Sequence, residues 1–293
     1  GMFAFVIWDI KRKRIVMAVD RTGIKPLYFA EINGNLIFAS EAKALFASKL
    51  LNCEADYSTL PYHMTFLTAP FPKTMFRHVK KLQPGYINFY ESGVMREVQY
   101  WDEKFTEDNE YWQKNSYEKI TNLIDQSVTK QANSDVPLGI FLSGGIDSAA
   151  IGKSLRKTKD DELHSYFITF NKNDLSADIL YDESKYARLM SKDLNTIHHE
   201  IENKLGNFDQ LLSKLIWHMD EPIGDPAIIS TYSISEAAKE NSTVLLSGVG
   251  GDEIFAGYPR HKAMKMSDQF QTLPTALKNV MLKIGNVLPG GVN

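Results

Sequence analysis

The sequence contains a single cysteine, Cys53, in 293 residues. That excludes a disulfide framework and a multi-cysteine zinc site, and makes a reducing cytoplasm the expected compartment. Cys53 itself reads as a small buried hydrophobe. Long apolar runs are missing too. The longest, residues 2–8, has the length of a strand, far below the ~20 residues a membrane helix needs. No sign of charge dominates: 33 Lys and Arg stand against 36 Asp and Glu, a formal net charge of −3. A chain so near neutrality lacks the electrostatic footprint of a duplex DNA or RNA binder. No internal repeat, low-complexity segment or signal-peptide pattern is visible. With 43% hydrophobic and 24% charged residues, disorder, collagen and coiled coil are excluded as the main state. A globular protein of one large or two ordinary domains remains.

What is there divides near residue 110. The first ~100 residues carry runs of β-formers with turn punctuation. Strands are expected at 3–9, 14–19, 27–32, 36–40 and 86–90, with short helices at 41–48 and 57–66. Asn33-Gly34 fits a type I′ hairpin turn, because both residues tolerate positive φ. Lys11-Arg12-Lys13-Arg14 reads as a solvated turn. Residues 1–9 open inside what looks like a buried strand and 288–293 stop in a loop, so truncation at both ends is expected. Residues 101–115, polar and acidic with Trp101 and Trp112, mark the expected boundary, giving domains at 1–105 and 116–293.

Beyond the boundary the period changes. Helices are expected at 116–133, 147–156, 181–194, 205–217 and 228–240, with Tyr186, Leu189 and Met190 sharing one face of the third. Strands are expected at 136–142, 163–170, 196–201 and 243–247. Alternating β and α segments predict a doubly wound parallel sheet, whose ligands lie at the carboxyl ends of its strands.

Two glycine loops fall at such ends. Strand 136–142 runs into Ser143-Gly144-Gly145-Ile146-Asp147-Ser148 and then a helix. Glycines permit positive φ and close backbone approach, and a helix N-terminus favours bound phosphate. Asp147 beside an anion site makes sense with a cation between them, and Mg²⁺ takes carboxylate plus phosphate oxygens. The loop lacks the spacer and Lys-Ser/Thr ending of a Walker A motif. The rival reading is an ordinary capped helix start. The second loop, Ser247-Gly248-Val249-Gly250-Gly251-Asp252-Glu253, repeats the plan, with Asp252 as a second carboxylate for Mg²⁺.

The first loop resembles the pyrophosphate-binding loop of the ATP pyrophosphatases (the PP-loop, adenine nucleotide alpha hydrolase-like enzymes). Both loops together, with Asp220-Glu221-Pro222-Ile223-Gly224-Asp225-Pro226, resemble the synthetase domain of glutamine-hydrolysing asparagine synthetases. The resemblance implies ATP and Mg²⁺ as cofactors. It places Leu142, Ser143, Gly144, Gly145, Asp147, Ser148, Ile168, Ser247 and Gly248 around ATP, Asp147 and Asp252 on the metal, and the 220–226 segment along the active site. It implies activation of a carboxylate as an acyl-adenylate, then amidation with glutamine-derived ammonia. Aspartate is the family's carboxylate. Val249 departs, because the family carries an acidic residue there, tied to adenylate formation. Another carboxylate would tolerate valine better, and a non-catalytic Mg-ATP-binding fragment is a further alternative. The lysine that family members use further downstream has only Lys262 and Lys265 as nearby substitutes, both expected at the surface.

The first half, through Val19–Pro26 and Phe38–Leu45, resembles the later part of an N-terminal-nucleophile glutaminase (glutamine amidotransferase type 2) domain. There the residue matching Asp20 binds the glutamine amino group; the plain alternative pairs Asp20 with Arg21. The family's nucleophilic cysteine after the initiator Met has no counterpart, since Cys53 is internal, so this chain by itself is expected not to hydrolyse glutamine. His198 and His199 adjoin in a strand and point to opposite faces. His63, His78, His164, His218 and His261 show no ligand spacing. Partners are then small molecules (ATP, glutamine or ammonia, a carboxylate), with no nucleic acid and no membrane, and a homodimer is compatible with the resemblance.

Overall fold

The computed structural model describes residues 1–104, 116–159, 161–169, 183–202, 208–225, 227–275 and 277–278. The expected boundary around Trp112 and the chain beyond 278 lie outside these. The molecule divides into two compact units, residues 1–116 with 203–236, and residues 117–202 with 237–293.

Unit 1 carries two antiparallel sheets. The first has the order β1-β2-β6-β7, from Ala4–Asp9 (β1), Arg14–Val19 (β2), Tyr86–Glu91 (β6) and Val94–Gln99 (β7). The second has the order β4-β3-β5, from Tyr28–Ile32 (β3), Asn35–Ala39 (β4) and Lys80–Lys81 (β5). Asn33 and Gly34 take φ of 50° and 79°, the type I′ turn expected there. Ser92 and Gly93 make a second such turn, at 51° and 80°, and create β7, a strand beyond those expected from sequence. Met17, Val19, Leu27, Phe29 and Leu82 fill the space between the sheets. Tyr28, Leu45 and Val79 form a second cluster, to which helix Ala42–Ala47 (α1) contributes Ala42 and Leu45. Helix Leu60–Phe66 (α2) follows a single 3₁₀ turn. The strand at the start of the chain is not buried. It lies at a sheet edge, with Ile7 54% and Trp8 55% exposed. Cys53 is exposed rather than buried.

Unit 2 is built on a four-stranded parallel sheet of Leu138–Phe141 (β8), His164–Thr169 (β9), Ile197–Glu202 (β10) and Val244–Leu246 (β11), in the order β10-β9-β8-β11. Helix Ser116–Gln131 (α3) precedes it, Ile146–Arg156 (α4) follows β8, and Ser184–Asp193 (α5) leads to β10. Alternation along β8 sends Leu138 and Ile140 to one face, where they pack with Val128 and Ala132 at the end of α3 and with Leu155 of α4. Gly139 faces the other way. A Cβ there would lie 2.6 Å from Ser242 Oγ and 2.9 Å from the Tyr166 ring. The Tyr166 hydroxyl lies 2.9 Å from Ser242 Oγ. The sheet is therefore covered from both sides, a doubly wound arrangement.

The packing face of α5 is not the expected one. Tyr186 is 55% and Leu189 62% exposed, whereas Ser184, Ala187 and Ser191 are buried. The reason is close approach: a Cβ on Gly144 would meet the Ala187 nitrogen and Tyr186 Cβ at 2.8 Å. Only small side chains fit a helix pressed against a glycine loop.

Helices Phe208–Met219 (α6) and Ala227–Ala238 (α7) connect β10 to β11, and most of this stretch belongs to unit 1. Gly251–Phe255 (α8) and Pro259–Gln271 (α9) follow β11. Among the described residues no helix is long and apolar enough to cross a membrane.

Candidate functional site

Strand order places the site. From β8 the chain moves outward through β9 to β10, then returns to the other side of β8 as β11. The direction of winding reverses between β8 and β11, and such a reversal opens a crevice at the carboxyl ends. Leu138 pairs with Val244 and Ile140 with Leu246, so the two glycine loops leave neighbouring strand ends.

Leu142 is fully buried, and its N–H donates to the Tyr166 carbonyl at 2.9 Å. That bond ends the strand and turns Ser143 into solvent. Gly144 takes φ +81°, a conformation L side chains rarely adopt. Gly145 caps α4 in an extended conformation, and no side chain caps the helix. The leading N–H groups of α4 are thus left for an anion. Ser143 and Ser148 bridge the loop, with hydroxyls 3.0 Å apart, and Ser148 also donates to the Gly145 carbonyl at 3.0 Å.

The second loop lies on the first. A Cβ on Gly248 would lie 2.8 Å from the Ser148 nitrogen and 2.9 Å from Asp147 Cβ. A Cβ on Gly251 would lie 2.5 Å from the Asp147 carboxylate. Glycine at both positions is what lets the loops meet around Asp147. Ser247 Oγ accepts from the Val249 N–H at 3.2 Å, and Val249 itself is 90% exposed at the loop tip. Asp252 is exposed; its Oδ1 lies where a Cβ on Gly257 would be, so glycine is also needed there. Ile168, half-buried, stands near the carboxyl end of β9. The structure therefore brings Leu142 through Ser148 together with Ser247, Gly248 and Gly251, and puts Ile168 at the same edge of the sheet. Among the described residues no three metal-ligating side chains converge. Asp147 and Asp252 would serve Mg²⁺ as it is held beside phosphates, by one or two carboxylates with phosphate oxygens and water completing the shell. Glycine at 251 leaves room for the Asp147 carboxylate itself.

Asp20 in unit 1 is 2% exposed. It does not pair with Arg21. Its carboxylate accepts backbone N–H bonds from Phe3, Thr22, Ile24 and Lys25 at 3.0–3.2 Å, and a longer one from the Thr22 hydroxyl. Burial pushes its pKa up, but the amides outweigh burial and hold it below the usual carboxylate value. Arg21 instead sits over the Trp101 ring, 5.6 Å from its centroid.

The acidic segment after α6 has partners that sequence spacing could not show. Asp220 Oδ2 accepts the Ala42 N–H at 2.6 Å, and Asp220 Oδ1 lies 3.0 Å from Lys43 Nζ. Glu221 accepts the Met75 N–H at 2.8 Å and lies 2.6 Å from Lys81 Nζ. Burial and the nearby carboxylates of Glu221, Asp220 and Glu41 push the Tyr28 hydroxyl far above its ordinary pKa.

The histidines behave as strand alternation requires. His198 Nδ1 lies 2.8 Å from Ser165 Oγ on one face of the sheet, and His199 Nε2 lies 2.8 Å from His164 Nδ1 on the other. The His164–His199 pairing was not visible as a sequence spacing, because parallel strand register creates it.

A parallel sheet with paired glycine loops at its reversal point, in one chain with an antiparallel two-sheet unit, defines an α/β protein with an added β domain. The asparagine synthase model matches residues 119–288, well over half the chain, and the glutamine amidotransferase domain model matches residues 1–101. This chain belongs to the asparagine synthase family. Asparagine synthetase (glutamine-hydrolyzing) 1 of Bacillus subtilis is 34% identical over 100% of this chain and 45% of its own length. A putative asparagine synthetase (glutamine-hydrolyzing) 2 of Methanocaldococcus jannaschii is 33% identical over 97% of this chain and 55% of its own. Amidase chyE of Penicillium rubens is 26% identical over 94% of this chain and 42% of its own. The chain thus spans about half the length of the curated relatives it matches. Among solved structures, an NH3-dependent NAD synthetase from Campylobacter jejuni overlaps 48% of this chain and 60% of its own, at 16% identity and a TM-score of 0.32, a likeness that decides nothing.

Proposed function

We propose that this chain is part of an ATP-dependent amidotransferase of asparagine synthetase type, acting in the cytoplasm. A carboxylate would attack the α-phosphorus of ATP, pyrophosphate would leave, and glutamine-derived ammonia would displace AMP from the acyl-adenylate. Residues 1–105 would be the glutamine side and 116–293 the ATP side. The observation that carries this reading is the meeting of the two glycine loops around Asp147.

Each residue has a task. Ser143, Gly144, Gly145 and Ser148, with the uncapped start of α4, would receive the pyrophosphate; Ser247 and Gly248 would close the other wall. Leu142 would floor the site and Ile168 would meet the adenine. Asp147 and Asp252 would hold Mg²⁺, which when bound neutralises charge building on the departing pyrophosphate. Asp20 would hold the glutamine side by fixing the 20–25 loop, where a carboxylate also suits the substrate ammonium.

Val249 favours a second reading of the acceptor. A fully exposed valine cannot accept a proton or bind an ammonium group, so a carboxylate other than aspartate is supported by that position. The relative named an amidase spans nearly the whole chain and is in keeping with it. ATP–pyrophosphate exchange on the full-length protein separates the readings. Exchange driven by aspartate alone is the outcome for asparagine synthesis. Exchange driven equally by aspartate and unrelated acids sinks that assignment, and no exchange with any carboxylate leaves a Mg-ATP-binding protein without turnover.

A further inference from the structure

The second glycine loop runs into two neighbouring carboxylates, Asp252 and Glu253, and the structure treats them differently. Both lie in α8, which is five residues long and has no side-chain cap at its start. A helix this short does not hold itself, because nucleation is costly and few hydrogen bonds offset it. It is held from its far end. Ala256 takes φ +54°, in the left-handed region, and its N–H closes the last turn on the Asp252 carbonyl. The Gly257 N–H donates to the same carbonyl at 3.0 Å. The chain thereby folds back, and Asp252 Oδ1 packs where a Cβ on Gly257 would be. The Asp252 carboxylate is pressed against the turn that follows its own helix.

The next residue closes that turn. The Tyr258 hydroxyl donates to Glu253 Oε1 at 2.6 Å, a length typical of a hydroxyl bound to a charged oxygen. The Arg260 guanidinium lies over the Tyr258 ring, 4.2 Å from its centroid, within cation–π reach. In the first turn of α9 the His261 N–H donates to the Tyr258 carbonyl at 3.0 Å. Tyr258 is therefore gripped by its ring, its hydroxyl and its carbonyl. The core cluster of unit 2 contains none of Glu253, Tyr258 and Arg260, so their arrangement is not a by-product of burying apolar surface. The other end of α8 adjoins the first loop: a Cβ on Gly251 would lie 2.5 Å from the Asp147 carboxylate. Asp252 thus stands between a glycine beside Asp147 and a turn closed by Tyr258.

We propose that Glu253 and Tyr258 are a positioning pair for the metal site: their hydrogen bond fixes the turn after α8 and, through Gly257, the Asp252 carboxylate that receives Mg²⁺. This rests on the ATP-site reading above. Glu253 adjoins a metal ligand without being one. Its commitment to Tyr258 leaves Asp147 and Asp252 as the two carboxylates, with phosphate oxygens and water completing the shell that Mg²⁺ prefers. Arg260 supports the pair by holding the ring. An exposed aspartate on a short helix loses side-chain and backbone freedom when it takes a metal, and a turn fixed beforehand removes part of that cost.

The test uses the full-length protein and reads ATP binding by equilibrium dialysis while Mg²⁺ is varied, so turnover is not needed. Tyr258→Phe removes the hydroxyl, and Glu253→Ala removes its acceptor. Each is expected to raise the Mg²⁺ concentration for half-maximal ATP binding about tenfold, with ATP affinity at saturating Mg²⁺ unchanged. Glu253→Gln, which keeps an oxygen to accept the hydroxyl, should recover most of the loss seen in Glu253→Ala. Tyr258→Phe combined with Glu253→Ala should be no worse than either alone, since the two remove one bond. Glu253→Gln as poor as Glu253→Ala would assign the loss to charge and overturn the pair. Losses that add in the double variant would overturn it too, as would an ATP affinity that stays weak at saturating Mg²⁺. The reading of the site fails separately. ATP binding by wild type that ignores Mg²⁺ overturns that reading and the pair with it. Mg²⁺-dependent binding in wild type, matched by Tyr258→Phe, overturns the pair alone.

Discussion

Asp147 is the residue on which most of the site converges, because its carboxylate fills the space a side chain on Gly251 would need and its Cβ the space one on Gly248 would need. Asp147→Ala should abolish Mg-ATP binding in equilibrium dialysis while leaving the fold intact, since Asp147 is only half-buried. Gly251→Ala keeps the carboxylate but displaces it, and overpacking of this kind costs about 1–3 kcal/mol. It should weaken binding too. Binding unchanged in Asp147→Ala would refute the assignment of the loop. Asp20 makes a different kind of prediction. Its pKa is lowered in the folded protein, so it contributes stability above its unfolded value of about 3.9, and that stability is lost as pH falls toward the folded value. Asp20→Asn should lower the melting temperature at neutral pH and flatten its acid limb between about pH 5 and about pH 3. An acid limb identical to wild type would show that the amides around Asp20 do not depend on its charge. Both residues were legible in sequence by type and neighbourhood. The partners of Asp20 were not, because backbone amides carry no sequence signal.

At the scale of elements, β9 and β10 are held together by a chain of hydroxyls that ends on an imidazole. Ser191 and Thr196 lie 2.8 Å apart, Thr196 and Ser165 2.7 Å, and Ser165 and His198 2.8 Å. Burial lowers the pKa of His198; the Glu200 carboxylate partly opposes this, and Arg188 and His199 reinforce it. Below the unfolded value of about 6.5 the unfolded chain takes up a proton before the folded one does, so stability falls as pH drops. Thermal unfolding followed from about pH 7 to about pH 5 should show that loss, and His198→Gln should reduce its slope. A slope that survives the substitution would assign the loss to other groups, His199 first, since it is also lowered by burial and by His164. Most elements were legible from periodicity and turn chemistry, as Asn33-Gly34 shows. Strand β7 escapes the sequence pattern although Ser92-Gly93 signals its turn, because Arg96 and Glu97 break the alternation of its apolar residues. The buried face of α5 was missed because hydrophobicity ranks Tyr186 and Leu189 above Ala187, whereas the neighbouring glycine loop admits only the small residues.

For the whole molecule, sequence by itself determined the class of fold, the two glycine loops and the family they resemble. Those depend on local order along the chain: a buried strand, glycines free to take positive φ, and a helix start, all within about ten residues. Tertiary structure decided what depends on residues far apart. It set β8 beside β11, and so stacked Gly248 and Gly251 on Asp147. It gave Asp220 and Glu221 partners in α1, Met75 and Lys81, in the segment that the family resemblance sets along the active site. It exposed Cys53 and the first strand. A carboxylate reads the same in sequence whether it holds a metal or caps a helix 178 positions away. Which it does is settled by the donors that packing brings within reach, and packing is a property of the folded chain.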